Sequence, residues 1–177
     1  MDHPVHALLS EWESYYIIVG SCAGALTGLQ FVVIALVADS WRGGTTAEIA
    51  AFGTPTVLHF CAALLVSALL SAPWVSFLWV QIALAACGIG GVIYAGIVIR
   101  RARRTEGYRP ELEDWIWHAV LPMFCYVTIV IGATVLSAHP ELGLSLTGAA
   151  SLGLVFIGIH NAWDTIVYVA SDVKKKG

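Results

Sequence analysis

Positive charge is nearly missing from this chain. Only nine of its 177 residues are Lys or Arg, and they sit in three places: Arg42, the stretch from Arg100 to Arg109, and Lys174–Lys176. Residues 1–41, 43–99 and 110–173 contain none. Charged residues of both signs amount to 12%, where soluble domains carry about a quarter. So thin a polar coat excludes an ordinary water-soluble enzyme. No nucleic-acid partner is expected either, because topology accounts for the few basic residues. Cysteine is sparse as well. Cys22, Cys61, Cys87 and Cys125 stand alone inside apolar runs, so no CxxC or other ligand spacing exists and each reads as a small hydrophobe. Also absent are GxSxG, HExxH and the P-loop pattern. Gly88-Ile89-Gly90-Gly91 lies inside an apolar run, so it is no phosphate cradle.

What fills the chain instead is apolar residue, 58% of the total. A membrane-crossing helix needs roughly 20 mostly apolar residues. Five runs meet that length, at 14–38, 52–71, 74–99, 115–138 and 142–163. The expected fold is all-α: a bundle of five transmembrane helices forming a single integral membrane domain over residues 1–177. No room is left for a soluble catalytic domain. Arg42 follows the first run, the arginine cluster the third and the lysines the fifth. All the positive charge therefore falls on one side, and Lys- and Arg-bearing loops stay in the cytoplasm. The expected orientation is N-terminus out, C-terminus in. The first run is read as a retained span. Met1-Asp2-His3-Pro4 lacks the positive charge of a signal peptide and the run is too long for one. Cleavage after Ala38 would also carry Arg42 and the arginine cluster to the wrong side.

Ahead of the first span, Val5, Leu8, Leu9 and Trp12 recur at helical spacing, which predicts an amphipathic stretch along the outer interface. His3 is third from the amino terminus, a position able to complete a copper or nickel site with the terminal amine. In the first span Gly20, Gly24 and Gly28 form a GxxxGxxxG face. Small residues one turn apart let a neighbouring backbone approach, either inside the monomer or at the interface of a homo-oligomer. Thr45 and Glu48 have the spacing of a capping box before the second span, and Pro55 predicts a bend in it. The turn at Ser71-Ala72-Pro73 predicts that spans two and three form an antiparallel hairpin. Gly88, Gly90, Gly91 and Gly96 predict close contacts along span three. Arg100 to Pro110 is the main inner loop. Its arginines suit topology and anionic headgroups, or alternatively an adaptor role toward a protein partner. Tryptophans and tyrosines mark both interfaces with the lipid bilayer, and no internal repeat is visible.

One polar patch carries the chemistry. In the expected orientation His59 lies near the inner end of the second span and His118 near the inner end of the fourth. His160, Asn161 and Asp164 come at the inner end of the fifth, and Gln30 in the inner half of the first. Four helices thus bring polar groups to similar depth in the cytoplasmic third, where ionisable groups are costly and seek partners. His160 and Asp164 are one turn apart on one helix face. That spacing serves a hydrogen bond or two ligands of one metal. His59 and His118 would complete a four-ligand set for a divalent transition metal as cofactor. Pro122 has no N–H, so the carbonyl of His118 loses its helical donor and a kink is expected there.

The run Tyr15-Tyr16-Ile17-Ile18-Val19-Gly20, continued by Gly24 to Val33, resembles the first span of small five-span bacterial integral membrane proteins of uncharacterised activity. His160-Asn161-Ala162-Trp163-Asp164-Thr165 resembles their last span. The resemblance covers about a quarter of the chain and implies a bacterial inner (plasma) membrane, with no activity attached. The patch also resembles, in residue types, the three-His-and-Asp zinc sites of membrane hydrolases, but their HxxxH pair and larger span count are lacking. The leading expectation is a non-enzymatic polytopic protein whose buried site binds or passes a small cation or proton. The alternatives are a metal-dependent intramembrane enzyme and a membrane adaptor acting through residues 100–109.

Overall fold

The computed structural model describes the backbone of residues 4–40, 46–104 and 112–176, and side chains over 7–35, 54–100, 112–113 and 115–167. Among these residues there is no strand. Helix α1 spans Pro4–Ser40, α2 Thr46–Leu70 and α3 Phe77–Arg104. The short α4, Leu112–Trp115, runs through a π-helical turn at Ile116–Val120 into α5, Leu121–Val135, and α6 spans Pro140–Lys176.

Four helices are long and apolar enough to cross a membrane, over Ala7–Ala35, Phe77–Arg100, Ile116–Val135 and Pro140–Val167. The apolar part of α2, Thr54–Leu70, is shorter, at 1.5 Å per residue about 25 Å. The outer surface matches that reading. Ile18, Leu29, Phe31, Phe124 and Phe156 are exposed, whereas Gln30, Thr56, His59, Ser67, Thr147, Ser151 and Asn161 are buried. A bundle that hides its polar groups and shows its aliphatic ones is solvated by lipid, because the interior holds the only hydrogen-bonding partners. The chain is a multi-pass helical membrane protein in this coarse sense.

The N-terminal stretch is not a separate interfacial helix. No breaker follows Pro4, itself suited to a first helical turn, and α1 continues unbroken to Ser40. Leu9 joins the core, with Leu8 and Trp12 packed against it.

Helix α6 is the hub, packing on α5, α2 and α1, while α3 leans on α5 and α1 on α2. Although the turn after Leu70 is tight, with Ala72 N–H donating to Leu69 O at 3.3 Å, α2 and α3 touch less than α3 and α5 do. The expected hairpin of spans two and three is therefore a weak contact. Glycines explain the stronger ones. A Cβ on Gly132 would lie 3.0 Å from Gly143 O, and one on Gly143 2.8 Å from the Cα of Leu136, so α5 and α6 meet backbone to backbone. A Cβ on Gly88 would come 2.7 Å from Val130, which seats α3 on α5. Tyr15 and Tyr16 tie α1 to α6 by donating to Gly148 O at 2.9 Å and Leu144 O at 2.7 Å.

Of the first-span glycines, only Gly20 lies under a close contact, its Cβ position 2.8 Å from Ser67 Cβ. Gly24 has ordinary contact with Leu64 at 3.9 Å, and Gly28 has nothing within 4 Å. The glycine face thus serves the monomer at one end and lies open at the other. In span three, Gly88 and Gly91 are packed, while Gly90 and Gly96 face open space.

Candidate functional site

His59, His118, His160, Asn161 and Asp164 lie toward the end of the bundle where α1, α3 and α6 run out, which also carries Arg100, while buried Ser67 and Thr147 lie toward the other end. The starting point is the π turn. Pro122 falls in the first turn of α5 and offers no N–H. The backbone answers by widening one turn, with the N–H of Leu121 bonding to Ile116 O, five residues back. The disturbance expected at Pro122 thus takes the form of a π bulge, and such bulges recur at functional sites. The turn contains Trp117 and His118 and contacts α6.

Trp117 stacks flat on the imidazole of His160, with ring centroids 3.7 Å apart and planes 6° from parallel. The stack fixes the His160 ring between two carboxylates. Its Nε2 lies 3.8 Å from Glu113 and its Nδ1 3.1 Å from Asp164 Oδ2. The second approach is close enough for charge attraction but lacks hydrogen-bond geometry, so Nδ1 is a buried atom without a hydrogen-bond partner in the protein. Asp164 itself is 48% exposed and Glu113 71%, which puts both carboxylates at the rim.

Deeper in, His59 on α2 is 2% exposed. Its Nδ1 is 2.9 Å from the phenolic oxygen of Tyr126 on α5. Helical side chains tilt toward the N-terminus of their own helix, so Tyr126 reaches back from mid-span toward the π turn. His118 is close enough to His59 to interact with it electrostatically, and its own Nδ1 is buried without a protein hydrogen-bond partner. Asn161 is 1% exposed, and both atoms of its amide are buried and unpartnered. It lies three residues past Gly158, which abuts the Phe60 ring, so the same face of α6 turns toward α2. Gln30 is buried on α1 at 4% exposure.

The residues singled out from sequence thus occupy one end of the bundle, but as two groups rather than one. His59 pairs with Tyr126, while His160 sits with Trp117, Asp164 and Glu113. Among the described residues no three His, Cys, Asp or Glu side chains come close enough to hold a metal ion. The set of His59, His118, His160 and Asp164 is therefore not assembled as a metal centre in this structure. His3, the capping-box side chains and the arginine loop beyond Arg100 lie outside the described side chains. Tyr126 is marked in sequence only as a hydroxyl in the middle of an apolar run; in the structure Gly91 leaves room for its ring, while Gly88 lies against its backbone and Val130.

A groove of about 340 Å³ runs between α5 and α6 past Trp117, Phe124, Gly153 and Phe156. Its lining is apolar. No family model, curated protein or solved structure matches the chain.

Proposed function

We propose that this chain is a five-span protein of a bacterial inner membrane that binds a small cation or proton, and passes it, at the polar end of the bundle where His59, His118, His160, Asn161 and Asp164 lie. The observation that supports this most is the set of buried polar atoms on His118, His160 and Asn161 without a protein partner. Interiors satisfy nearly all such groups, and a bundle built only for stability gains nothing by leaving four of them open. Confinement of Lys and Arg to three stretches supports an N-terminus outside and the arginine-bearing end in the cytoplasm. In that orientation the polar end lies in the cytoplasmic third, with Asp164 and Glu113 at its mouth. Two carboxylates there favour a positively charged visitor.

The lipid bilayer is the partner the exposed aliphatic surface fits. A second copy of the chain is a further proposed partner, through the open part of the α1 face at Gly24 and Gly28. No observation favours nucleic acid.

The test is transport by purified protein in liposomes. With an imposed potential and a pH-sensitive dye inside, the wild type is expected to move protons or a monovalent or divalent cation faster than empty vesicles. His118→Ala and His160→Ala should reduce the rate without unfolding the protein. Rates equal to empty vesicles for every ion, together with no calorimetric binding of any cation, would remove the proposal.

A further inference from the structure

Among the described residues, Asn161 alone has two buried polar atoms without a partner. Its amide is buried to 1% and neither its oxygen nor its nitrogen has a hydrogen-bond partner in the protein. Exchanging the two atoms changes nothing, since both are buried and both are open. An amide brings two acceptor lone pairs and two donor hydrogens. On the π turn, which contacts α6, Nδ1 of His118 is also buried and unpartnered, while Nδ1 of His160 faces only the Asp164 carboxylate, at 3.1 Å and outside hydrogen-bond geometry. The Trp117–His160 stack holds these two elements together.

This mixture selects its ligand. A bare metal or alkali cation would satisfy Oδ1 and an imidazole lone pair but would face the Nδ2 hydrogens. An anion would satisfy Nδ2 and oppose Oδ1. Ammonium donates only, and fails at Nδ2 like the metals. Water donates two hydrogen bonds and accepts two, and buried water typically makes about three bonds to groups that are otherwise unsatisfied.

We propose that Asn161 anchors a bound-water site, with water bridging its amide to Nδ1 of His118 and of His160. The inference rests on the cation-or-proton reading above and narrows it to the proton, which moves along hydrogen-bonded water where a bare metal ion is poorly coordinated. The carboxylates facing the site are Asp164 on α6 and Glu113 on α4, both exposed. They form its mouth. His59 on α2 and Tyr126 on α5, joined at 2.9 Å, form its inner wall.

The experiment is X-ray hydroxyl-radical labelling of the full chain in liposomes, in water enriched in oxygen-18. Radicals born from a bound water oxidise the side chains beside it, and slow uptake of the heavy isotope marks that water as held. Wild-type protein should be labelled at His118 and His160. In Asn161→Leu the labelling should fall at least about fivefold, since the apolar isostere removes the anchor and leaves no new orphan. Asn161→Ser keeps a donor and an acceptor and should retain most of it. Helix content by circular dichroism qualifies each variant, and Asn161→Ala replaces Asn161→Leu if the latter does not fold. Unlabelled histidines in wild type, or equal labelling in folded Asn161→Leu, overturns the water site. Flux separates the two proposals. Proton flux lost in Asn161→Leu supports both. Flux or stoichiometric binding of a metal cation that survives Asn161→Leu overturns the water inference and leaves the cation reading. Labelling as expected with no flux of any ion upholds the water site and overturns the functional reading.

Discussion

His59 on α2 and Tyr126 on α5 share a hydrogen bond of 2.9 Å, with His59 2% exposed and Tyr126 fully buried. Both helices pack on α6, so this bond joins two of the hub's neighbours to each other.

Removing the phenolic hydroxyl therefore leaves an imidazole nitrogen unpaired in the dry interior of the bundle. Tyr126→Phe should lower the unfolding free energy by about 1 kcal/mol, near the upper part of the range for interhelical bonds in membrane bundles. Thermal unfolding in detergent measures it. The double variant His59→Leu/Tyr126→Phe removes both partners and should lose less than the sum of the singles. Strict additivity would mean that the bond contributes nothing.

Gly91 and Gly90 offer a matched pair. A Cβ on Gly91 would overlap the Tyr126 ring, while one on Gly90 meets nothing within 4 Å. Gly91→Ala should destabilise by about 1–3 kcal/mol, the usual range for overpacking, and should weaken the His59 contact as the ring moves. Gly90→Ala should be neutral or slightly stabilising, because alanine is the better helix former. Equal effects from the two would show that Tyr126 does not rest on Gly91.

Much of this architecture can be read from residues alone, and the reasons for the remainder are physical. Apolar runs long enough to cross a membrane come straight from composition, so the helices were legible. Their ends were not. Helices α1 and α6 run from Pro4 to Ser40 and from Pro140 to Lys176, past the ends of the apolar runs, because crossing a membrane sets a minimum apolar length and not the ends of a helix. Six polar residues, Gln30, His59, His118, His160, Asn161 and Asp164, stand out by type in or beside the apolar runs, and an assumed orientation gives them similar depth. Their grouping was not legible, because helix rotation decides which side chains meet. His59 turned toward Tyr126 and His160 toward Trp117, and no spacing in a single sequence reports rotation between helices. The π turn was half legible: Pro122 announces a missing donor but not the form of the repair.

The proposed orientation makes a direct prediction. A reporter fused after Gly177 should be active in the cytoplasm, and one inserted in the turn between α5 and α6, at Ala138–Glu141, should be active outside. Paired phosphatase and fluorescent-protein fusions read both sites. An inverted result would move the polar cluster to the outer leaflet and remove the reason for a cytoplasmic mouth.

The α1 glycines separate packing within the monomer from association between copies. Gly20→Leu should destabilise the monomer, since Ser67 of α2 lies against it. Gly28→Leu should leave the monomer intact because no atom is within 4 Å. If Gly28 faces a second copy, that substitution should dissociate an oligomer in light scattering of the detergent-solubilised protein. A wild-type oligomeric state in Gly28→Leu would assign the open end of the face to lipid.

Asp164 gives the sharpest division between a site and a structural network. It lies 3.1 Å from His160 Nδ1 yet is 48% exposed, so its attraction for the ring is screened and adds less than about 0.5 kcal/mol to stability. Asp164→Asn keeps the size and the hydrogen-bonding capacity of the side chain and removes its charge. A purely structural role predicts unfolding and transport both near wild type. A role at the mouth of a cation or proton path predicts unaltered unfolding with transport reduced several-fold, because the negative charge that draws the ion inward is gone. Glu113→Gln, on the other side of the same imidazole at 3.8 Å, should have a smaller effect of the same sign, and the two together a larger one than either alone. Transport unchanged in the double variant would mean that no positively charged species enters past these carboxylates.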